Sequence, residues 1–228
     1  MPRFNLTKDE EVSIPQLRHS FNLNKEEDLD LIRVDLDWTK GDLDVQTFCV
    51  GKEDQILEDA DFVFYNSERR TDLPADGEND AMYINRAVEI PFDIDRFGSK
   101  RKWRQHTAPY SFDGSVIGSF DDREGGKGEK IRINLSKVRP AIRKIVITVT
   151  VNPTPEVETF RDVENAVVTV RNAQNGDELV SYKVNEEFAN ETALIAAELI
   201  NKEGEWVFRA VGEGLDGGLQ TLVDTFAS

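Results

Sequence analysis

The sequence predicts a mainly β protein, a β-sandwich of two antiparallel sheets with one or two short C-terminal helices. Three observations favour this class. Short runs rich in Val, Ile and Phe recur at close spacing between turn residues, as they do in sandwiches and barrels. The turn Asn175-Gly176-Asp177 separates two such runs and is a strong local hairpin signal. Helical spacing is confined to the C-terminal third.

The first predicted strand, at residues 29–37, alternates strictly between two faces. Ile32, Val34 and Leu36 share the apolar face, while the other face ends in acids, so we expect a strand that is half exposed at its end. Further strands are predicted at 45–50, 62–65, 130–135, 142–151, 166–171, 179–184 and 205–211. A length of 228 residues allows one large all-β domain or two small ones. We predict a single domain over 1–228.

Two helices are predicted near the C-terminus. Asn190 can cap a helix that begins at Glu191 and ends at 201–204, because the apolar residues within it fall at helical spacing. A second short helix is predicted at 217–226, after the last strand.

The net charge of the chain limits the classes of partner that it can bind. Lys and Arg total 28 against 44 Asp and Glu, which gives a formal net charge of −16. Such a surface repels nucleic acid and anionic lipid and favours divalent cations or basic partners, although it also suits an ordinary soluble protein. We therefore predict no nucleic-acid partner.

Cysteine usage and hydropathy indicate a cytoplasmic protein. Cys49 is the only cysteine, so no intramolecular disulfide can form, and its position in a predicted strand favours a buried structural thiol. The chain has no apolar run long enough for a membrane span, and its first residues lack the apolar core of a signal peptide.

Acidic loops predict a metal site. Asp35, Asp37, Asp42 and Asp44 crowd ten residues, and like charges at this density cost stability unless a cation or basic partner neutralises them. Calcium takes about six to eight oxygen ligands, mostly carboxylates with some carbonyls and amides. The spacing is not that of an EF-hand, so the site would be assembled from loops at one end of the sandwich. The alternative is a solvated acidic loop.

Six motifs follow one another in a characteristic order. They are the acidic loop 42–44, the run 61–66 (DFVFYN), a Gly/Asp-rich loop, a Val/Ile strand, the ETA run at 191–193 and the run 205–214 (EWVFRAVGEG). In this order they closely resemble the TerD family of bacterial tellurite-resistance and stress-response proteins. The resemblance covers residues 29–66 and 111–227.

The resemblance implies a calcium-binding, non-enzymatic protein of the stress response. It also implies roles in tolerance to tellurite, oxidative or phage-related stress, operation beside other tellurite-resistance proteins, and peripheral membrane association without a membrane span. Calcium is the cofactor that it predicts.

The same resemblance assigns candidate calcium ligands. Asp42 and Asp44 take the acids of the family's DLD loop, and Asn66 takes the Asn that closes its YN motif. The complete candidate set is Asp37, Asp42, Asp44, Asn66, Asp121, Asp122 and Glu129. The family's Gly-Asp-Asp-Glu run is altered here to residues 126–129 (GKGE), which implies one calcium site where members of the family usually have two.

An insertion relative to the family is predicted at about 67–110. Residues 81–84 and 87–92 are candidate added strands. A basic aromatic run follows, and its candidate partner-binding residues are Lys100, Arg101, Lys102, Trp103 and Arg104. Arg beside aromatic side chains suits an acidic or phosphate-bearing partner, which makes a metal-independent interaction module the alternative function. The other possibility is that the run folds back across the acidic loops and neutralises them.

No catalytic residue is predicted. The two histidines, His19 and His106, have no plausible nucleophile near them in sequence, and the Gly-rich run 125–128 precedes a strand, which excludes a P-loop. A hydrolase that uses the loop carboxylates is a third reading, but no aromatic sugar platform lies beside these acids.

Overall fold

The computed structural model describes residues 10–13, 31–72, 88–120, 128–155, 158–173, 176, 178–183, 188 and 190–227. The strands in these residues are β1 Glu10–Ser13, β2 Leu31–Asp37, β3 Leu43–Val50, β4 Phe62–Val63, β5 Arg70–Thr71, β6 Ala108–Pro109, β7 Val116–Gly118, β8 Glu129–Asn134, β9 Lys144–Val151, β10 Val167–Asn172, β11 Glu178–Lys183, β12 Ala193–Lys202 and β13 Glu205–Leu215. The α-helices are α1 Ile94–Phe97, α2 Lys100–Gln105 and α3 Gly218–Phe226.

The strands form two large antiparallel sheets, which confirms the predicted sandwich. One sheet has the order β1-β13-β12-β9-β3-β4, and the other has the order β11-β10-β2-β8-β7. A separate two-stranded ribbon pairs β5 with β6. The hairpin predicted at 175–177 joins β10 and β11, which pair antiparallel around Gly176, a residue with a φ of 78°.

The core lies between the two large sheets. Alternate residues of a strand point to one face, so every second side chain of β2 and β9 enters the same layer. Ile32 and Val34 of β2 thus belong to one buried cluster with Ile145 and Ile147 of β9. Cys49 is part of this cluster, and burial raises the pKa of its thiol well above the ordinary value, as expected for a structural cysteine.

Helix α3 covers part of the outer face of the six-stranded sheet. Phe226 of the helix packs against Phe48 with ring centroids 5.2 Å apart, and Phe48 stacks on Phe62 at 4.3 Å. Strand β9 is consequently buried on both faces from Ile145 to Val151. The second predicted C-terminal helix, at 217–226, is confirmed.

The helix predicted from Glu191 is wrong, because Ala193–Lys202 is strand β12. The strand pairs with β9 on one side and β13 on the other, and residues 193–199 are buried. A strand buried on both faces has a continuous apolar run, which periodicity does not distinguish from a buried helix. A register shift between Ile195 and Ala197 further breaks the two-residue alternation.

The predicted insertion contributes helical structure, so confinement of helix to the C-terminal third is also wrong. Helices α1 and α2 contact each other, and Trp103 of α2 is 1% exposed and donates from Nε1 to the carbonyl of Ile90 at 3.0 Å. Of the two added strands, 81–84 lies outside the described residues. Glu89 of the other forms a single bridge to Thr71.

Candidate metal site

The register of the strands places several candidate ligands at one end of the sandwich. Strand β2 ends where β8 begins, since Leu36 lies opposite Glu129. Residues 38–42 carry the chain from there to the start of β3, and the chain beyond β4 returns to the same end because β4 runs antiparallel to β3. We call this end the acidic end. Its candidate ligands are Asp37, Asp42, Asp44, Asn66 and Glu129.

Glu129 connects the two sheets at the acidic end. Its side chain belongs to the five-stranded sheet and is 5% exposed, and its Oε2 accepts a hydrogen bond of 2.7 Å from the backbone N–H of Val45 in the six-stranded sheet. Val45 follows Asp44, which is 7% exposed. Glu129 therefore contacts β3 at the residue after the buried Asp44. Charges buried to this extent require neutralisation by hydrogen bonds or by a cation.

Asp42 is held by Asn152, which follows strand β9. The Asn152 side chain donates from Nδ2 to Asp42 Oδ2 at 2.7 Å, and the backbone N–H of Asn152 donates to the Asp42 carbonyl at 2.8 Å. This double contact fixes both the backbone and the carboxylate of Asp42.

Asp35 and Asp37 lie on the outer face of the five-stranded sheet and differ in their neighbours. Asp35 is buried and accepts hydrogen bonds from Arg33 at 3.1 Å and Arg171 at 2.8 Å, so its charge is balanced by arginine. Burial raises the pKa of Asp37, and the negative charge of Asp35 raises it further, against the opposing effect of Arg171 and Lys130. Asp37 is thus the acid of this pair for which a bound cation would relieve an electrostatic cost.

Gly128 explains part of the altered run before Glu129. Its φ is +67°, and a Cβ at this position would lie 2.6 Å from the carbonyl oxygen of Leu36 and 2.8 Å from Asp37 Oδ1. Glycine is therefore required by both the backbone conformation and the close approach to the end of β2. At Gly128 the chain therefore lies against Asp37.

Asn66 lies in a tight turn that follows β4. The N–H of Ser67 donates to the carbonyl of Phe64 at 3.1 Å, and the N–H of Phe64 donates to Ser67 Oγ at 3.1 Å. The Ser67 hydroxyl also donates to the carbonyl of Phe62. These bonds end the strand at Val63, two residues before its predicted end, and they place Tyr65 at a small cleft between the sheets that Glu129 also lines.

The donor chemistry of the acidic end is of the kind that calcium takes. Carboxylates and a side-chain amide are hard oxygen donors of the kind calcium takes. Within the described ranges, no three His, Cys, Asp or Glu side chains are arranged around a common centre. Asp121 and Asp122 lie outside the described residues. Their described neighbours in sequence, Phe120 and Gly128, flank them between strands β7 and β8.

The basic run of the predicted insertion pairs with an acid close to it in space. Lys100 Nζ lies 3.0 Å and Arg104 Nη2 lies 3.1 Å from Glu68 Oε1, and the bond from Lys100 lowers the pKa of Glu68. Trp103 is buried, whereas Arg101 and Lys102 are exposed. In the part of the chain that the structure describes, the ion pairs of this run are made with Glu68 and not with the acidic loop 42–44.

Asp61 and Arg70 are among the buried charged residues that were not predicted from the sequence. Asp61 opens the DFVFYN run and accepts hydrogen bonds from the N–H groups of Leu57 and Glu58 and from Arg139. It lies at the far end of β4 from Asn66, so its role is to hold the fold. Arg70 is fully buried behind the turn that carries Asn66. Neither residue has a sequence signal, since a charged residue alone does not reveal its burial.

A two-sheet antiparallel β-sandwich with buried acids at one end is the class of protein that these observations define. The model of the TerD domain matches residues 6–82 and 103–226, and the chain belongs to the TerD family. Residues 83–102 lie outside the match. Among the described residues, no helix combines the length and the apolar character needed to cross a membrane.

Several relatives and solved structures are similar to the chain. The uncharacterized protein YceE of Bacillus subtilis is 32% identical over 185 residues, which cover 79% of this chain and 75% of that protein. General stress protein 16U of the same organism is 38% identical over 117 residues, 50% of this chain and 61% of that protein. The tellurium resistance protein TerD of Serratia marcescens is 28% identical over 79% of this chain and 75% of its own length. The crystal structure of a TerD homologue from Streptomyces coelicolor A3(2) has a TM-score of 0.52 at 21% identity, over 86% of this chain and 95% of that one, and supports the fold.

Proposed function

We propose that the protein is a calcium-binding, non-enzymatic member of the tellurium-resistance and general-stress proteins. The observation that carries this proposal is the burial of two carboxylate residues, Asp44 and Glu129, at the acidic end, where Glu129 contacts β3 at the residue after Asp44. The TerD relative from Serratia marcescens and the stress protein 16U, by their names, support the stress role.

Charge supports a cation at this end. The formal net charge is −16, and the acidic end gathers Asp37, Asp42, Asp44 and Glu129. Arginine contacts Asp35, while the Asn152 amide contacts Asp42 and the Val45 N–H contacts Glu129. Carboxylates are the oxygen ligands that calcium takes, so a divalent cation at this end would bind groups that are already oriented.

The surroundings of the residues that could act as nucleophile or base favour a binding role over a catalytic one. Cys49 is buried in the sandwich core with a raised pKa, which disfavours the reactive thiolate. His106, the histidine within the described residues, is exposed at the end of α2.

Thermal unfolding of EDTA-treated protein, titrated with calcium and separately with magnesium, tests the proposal. A site filled to about a hundred times its Kd adds roughly 2.7 kcal/mol of stability. We expect a raised midpoint with calcium, a weak response to magnesium, and loss of the calcium response in Asp44→Asn. Asp95→Asn, at an exposed position on α1, is the matched control and should keep the response. No calcium shift in the unmodified protein would refute the proposal.

A metal-independent interaction module is the second candidate. It is favoured by the exposure of Arg101 and Lys102 on α2, whose neighbours Lys100 and Arg104 are both paired with Glu68. These two cations are therefore available to an acidic partner. Charge reversal of both residues would abolish co-purification of such a partner without changing the calcium response.

A further inference from the structure

Arg70 is a fully buried arginine whose N–H groups donate to neutral oxygens. Within the described residues it makes five such hydrogen bonds, two toward the turn 64–67 and three toward the end of α2. On the turn, Nη1 donates to the carbonyls of Tyr65 at 2.9 Å and Ser67 at 3.2 Å. On the other side, Nη2 donates to the carbonyls of Arg104 at 3.0 Å and Thr107 at 2.6 Å, and Nε donates to Thr107 Oγ1 at 2.8 Å.

This arrangement is rigid. Burial of a guanidinium has a large desolvation cost, which is offset only when its donors are all well placed. The planar fork of arginine fixes the directions of these donors, so the turn and the α2 end are held at one relative position. The Trp103 ring lies 5.8 Å from the guanidinium carbon and adds a further contact.

The two carbonyls on the turn flank Asn66. A bond to the Tyr65 carbonyl fixes the peptide plane before Asn66, and a bond to the Ser67 carbonyl fixes the chain one residue beyond it. The direction of a side chain follows from its backbone, so Arg70 limits where the amide oxygen of Asn66 can lie. Residues that hold a metal ligand in place commonly contribute 10–100-fold to metal affinity.

We infer that Arg70 is a positioning residue for Asn66, and that it couples the calcium affinity of the acidic end to the α2 segment. This inference rests on the proposed function. Arg70 itself supplies no ligand, because a guanidinium has donors only. A ligand amide that is not held by Arg70 would occupy many orientations, and calcium binding would then have to order it.

The variant Arg70→Lys removes the fork and keeps the charge. Arg101→Lys is the matched control, since it makes the same chemical change at an exposed position of α2. Two quantities are measured: hydrogen exchange of the Phe64 and Ser67 amides in EDTA, and the calcium Kd by titration calorimetry. Arg70→Lys should exchange faster at both amides and bind calcium at least about tenfold more weakly. Arg101→Lys should match the unmodified protein in both.

Thr107→Val keeps the test decisive if Arg70→Lys fails to fold. It removes the hydroxyl that accepts from Nε and donates to the Trp103 carbonyl, and it leaves the four carbonyl contacts of Arg70 in place, so a smaller change in the same direction is expected. If the unmodified protein binds no calcium, the proposed function and this inference both fail. If the unmodified protein binds calcium and the folded variants bind it equally well, the proposed function stands and the positioning role is overturned. Unchanged exchange at Phe64 and Ser67 would overturn the positioning role as well.

Discussion

Arg139 donates a hydrogen bond to the buried carboxylate of Asp61, a residue 78 positions earlier in the chain. The same carboxylate oxygen accepts from the N–H groups of Leu57 and Glu58 at 3.2 and 3.0 Å. The pair joins the loop before β4 to the segment before β9, so two distant parts of the chain share one ionic contact. It lies at the end of the sandwich opposite the acidic end.

Removal of the Asp61 carboxylate should be strongly destabilising. Asp61→Ala leaves the Arg139 guanidinium without its buried acid, and the loss of one partner of a buried pair costs about 3–5 kcal/mol. Glu68→Ala removes an exposed acid that also pairs with basic residues, and such pairs contribute about 0–1 kcal/mol. Urea denaturation of both variants measures the difference. Equal midpoints would contradict the prediction.

The pH dependence of stability should include a contribution from Asp113. Burial raises the pKa of this residue, but hydrogen bonds from Ser115, Ser111 and the backbone N–H of Arg139 outweigh burial and lower it below its ordinary value of 3.8. The unfolded chain therefore takes up the proton first as the pH falls. The stabilisation is complete above the ordinary pKa and is lost as the pH falls through the lower folded value.

The test compares the protein with Asp113→Asn. At pH 6 the variant should have the lower free energy of unfolding. The difference in this free energy between the two proteins should decrease as the pH is lowered to 3. Asp95→Asn has an exposed carboxylate and should show no such decrease. A difference in the free energy of unfolding that stays constant from pH 6 to pH 3 would disprove the role of Asp113.

Gly128→Ala should destabilise the protein beyond the cost of its backbone conformation. A left-handed conformation costs a non-glycine residue roughly 1–2 kcal/mol. Gly176 has a φ of +78° with no atom within 4 Å of an added Cβ, whereas at Gly128 the Leu36 carbonyl would lie 2.6 Å away. Gly176→Ala thus measures the conformational cost alone. The denaturation midpoint should therefore fall further for Gly128→Ala than for Gly176→Ala. Equal decreases would show that contact with the Leu36 carbonyl adds no cost.

Trp103→Ala should destabilise the α1–α2 segment or the whole chain. Truncation of a buried tryptophan costs about 3–5 kcal/mol, because packing contacts are lost and a cavity is left behind. Arg101→Ala, two residues away on α2 and exposed, should stay within about 0.5 kcal/mol of the unmodified protein. Denaturation followed by circular dichroism separates the two variants. Similar stabilities would mean that the Trp103 environment contributes little.

The sequence predicts those strands that have one exposed face or a clear turn. Alternation places β2 correctly, and Gly176 marks the hairpin of β10 and β11. Strand β12 was not predicted, because it is buried on both faces and contains a register shift. The short helices α1 and α2 were missed since four to six residues are too few to establish a helical period.

The candidate site, like the fold, could be predicted only in part from the sequence. The order of motifs is sufficient to name Asp42, Asp44 and Glu129 as residues of interest, but not to find the contact of Glu129 with Val45, which crosses from one sheet to the other. Arg70 was not predicted because nothing local distinguishes a buried arginine from a solvated one. The exposure of each residue of the basic run likewise depends on how α2 packs.

The pairing of β2 has a consequence for synthesis on the ribosome. This strand, at Leu31–Asp37, hydrogen-bonds to β8 on one side and β10 on the other. It therefore emerges with both edges open and completes its pairing only after residue 172 has been made. Chains with such distant pairings fold slowly and expose unpaired edges in the meantime. The nascent protein should depend on chaperones during this interval, most of all when translation is slowed between β2 and β10.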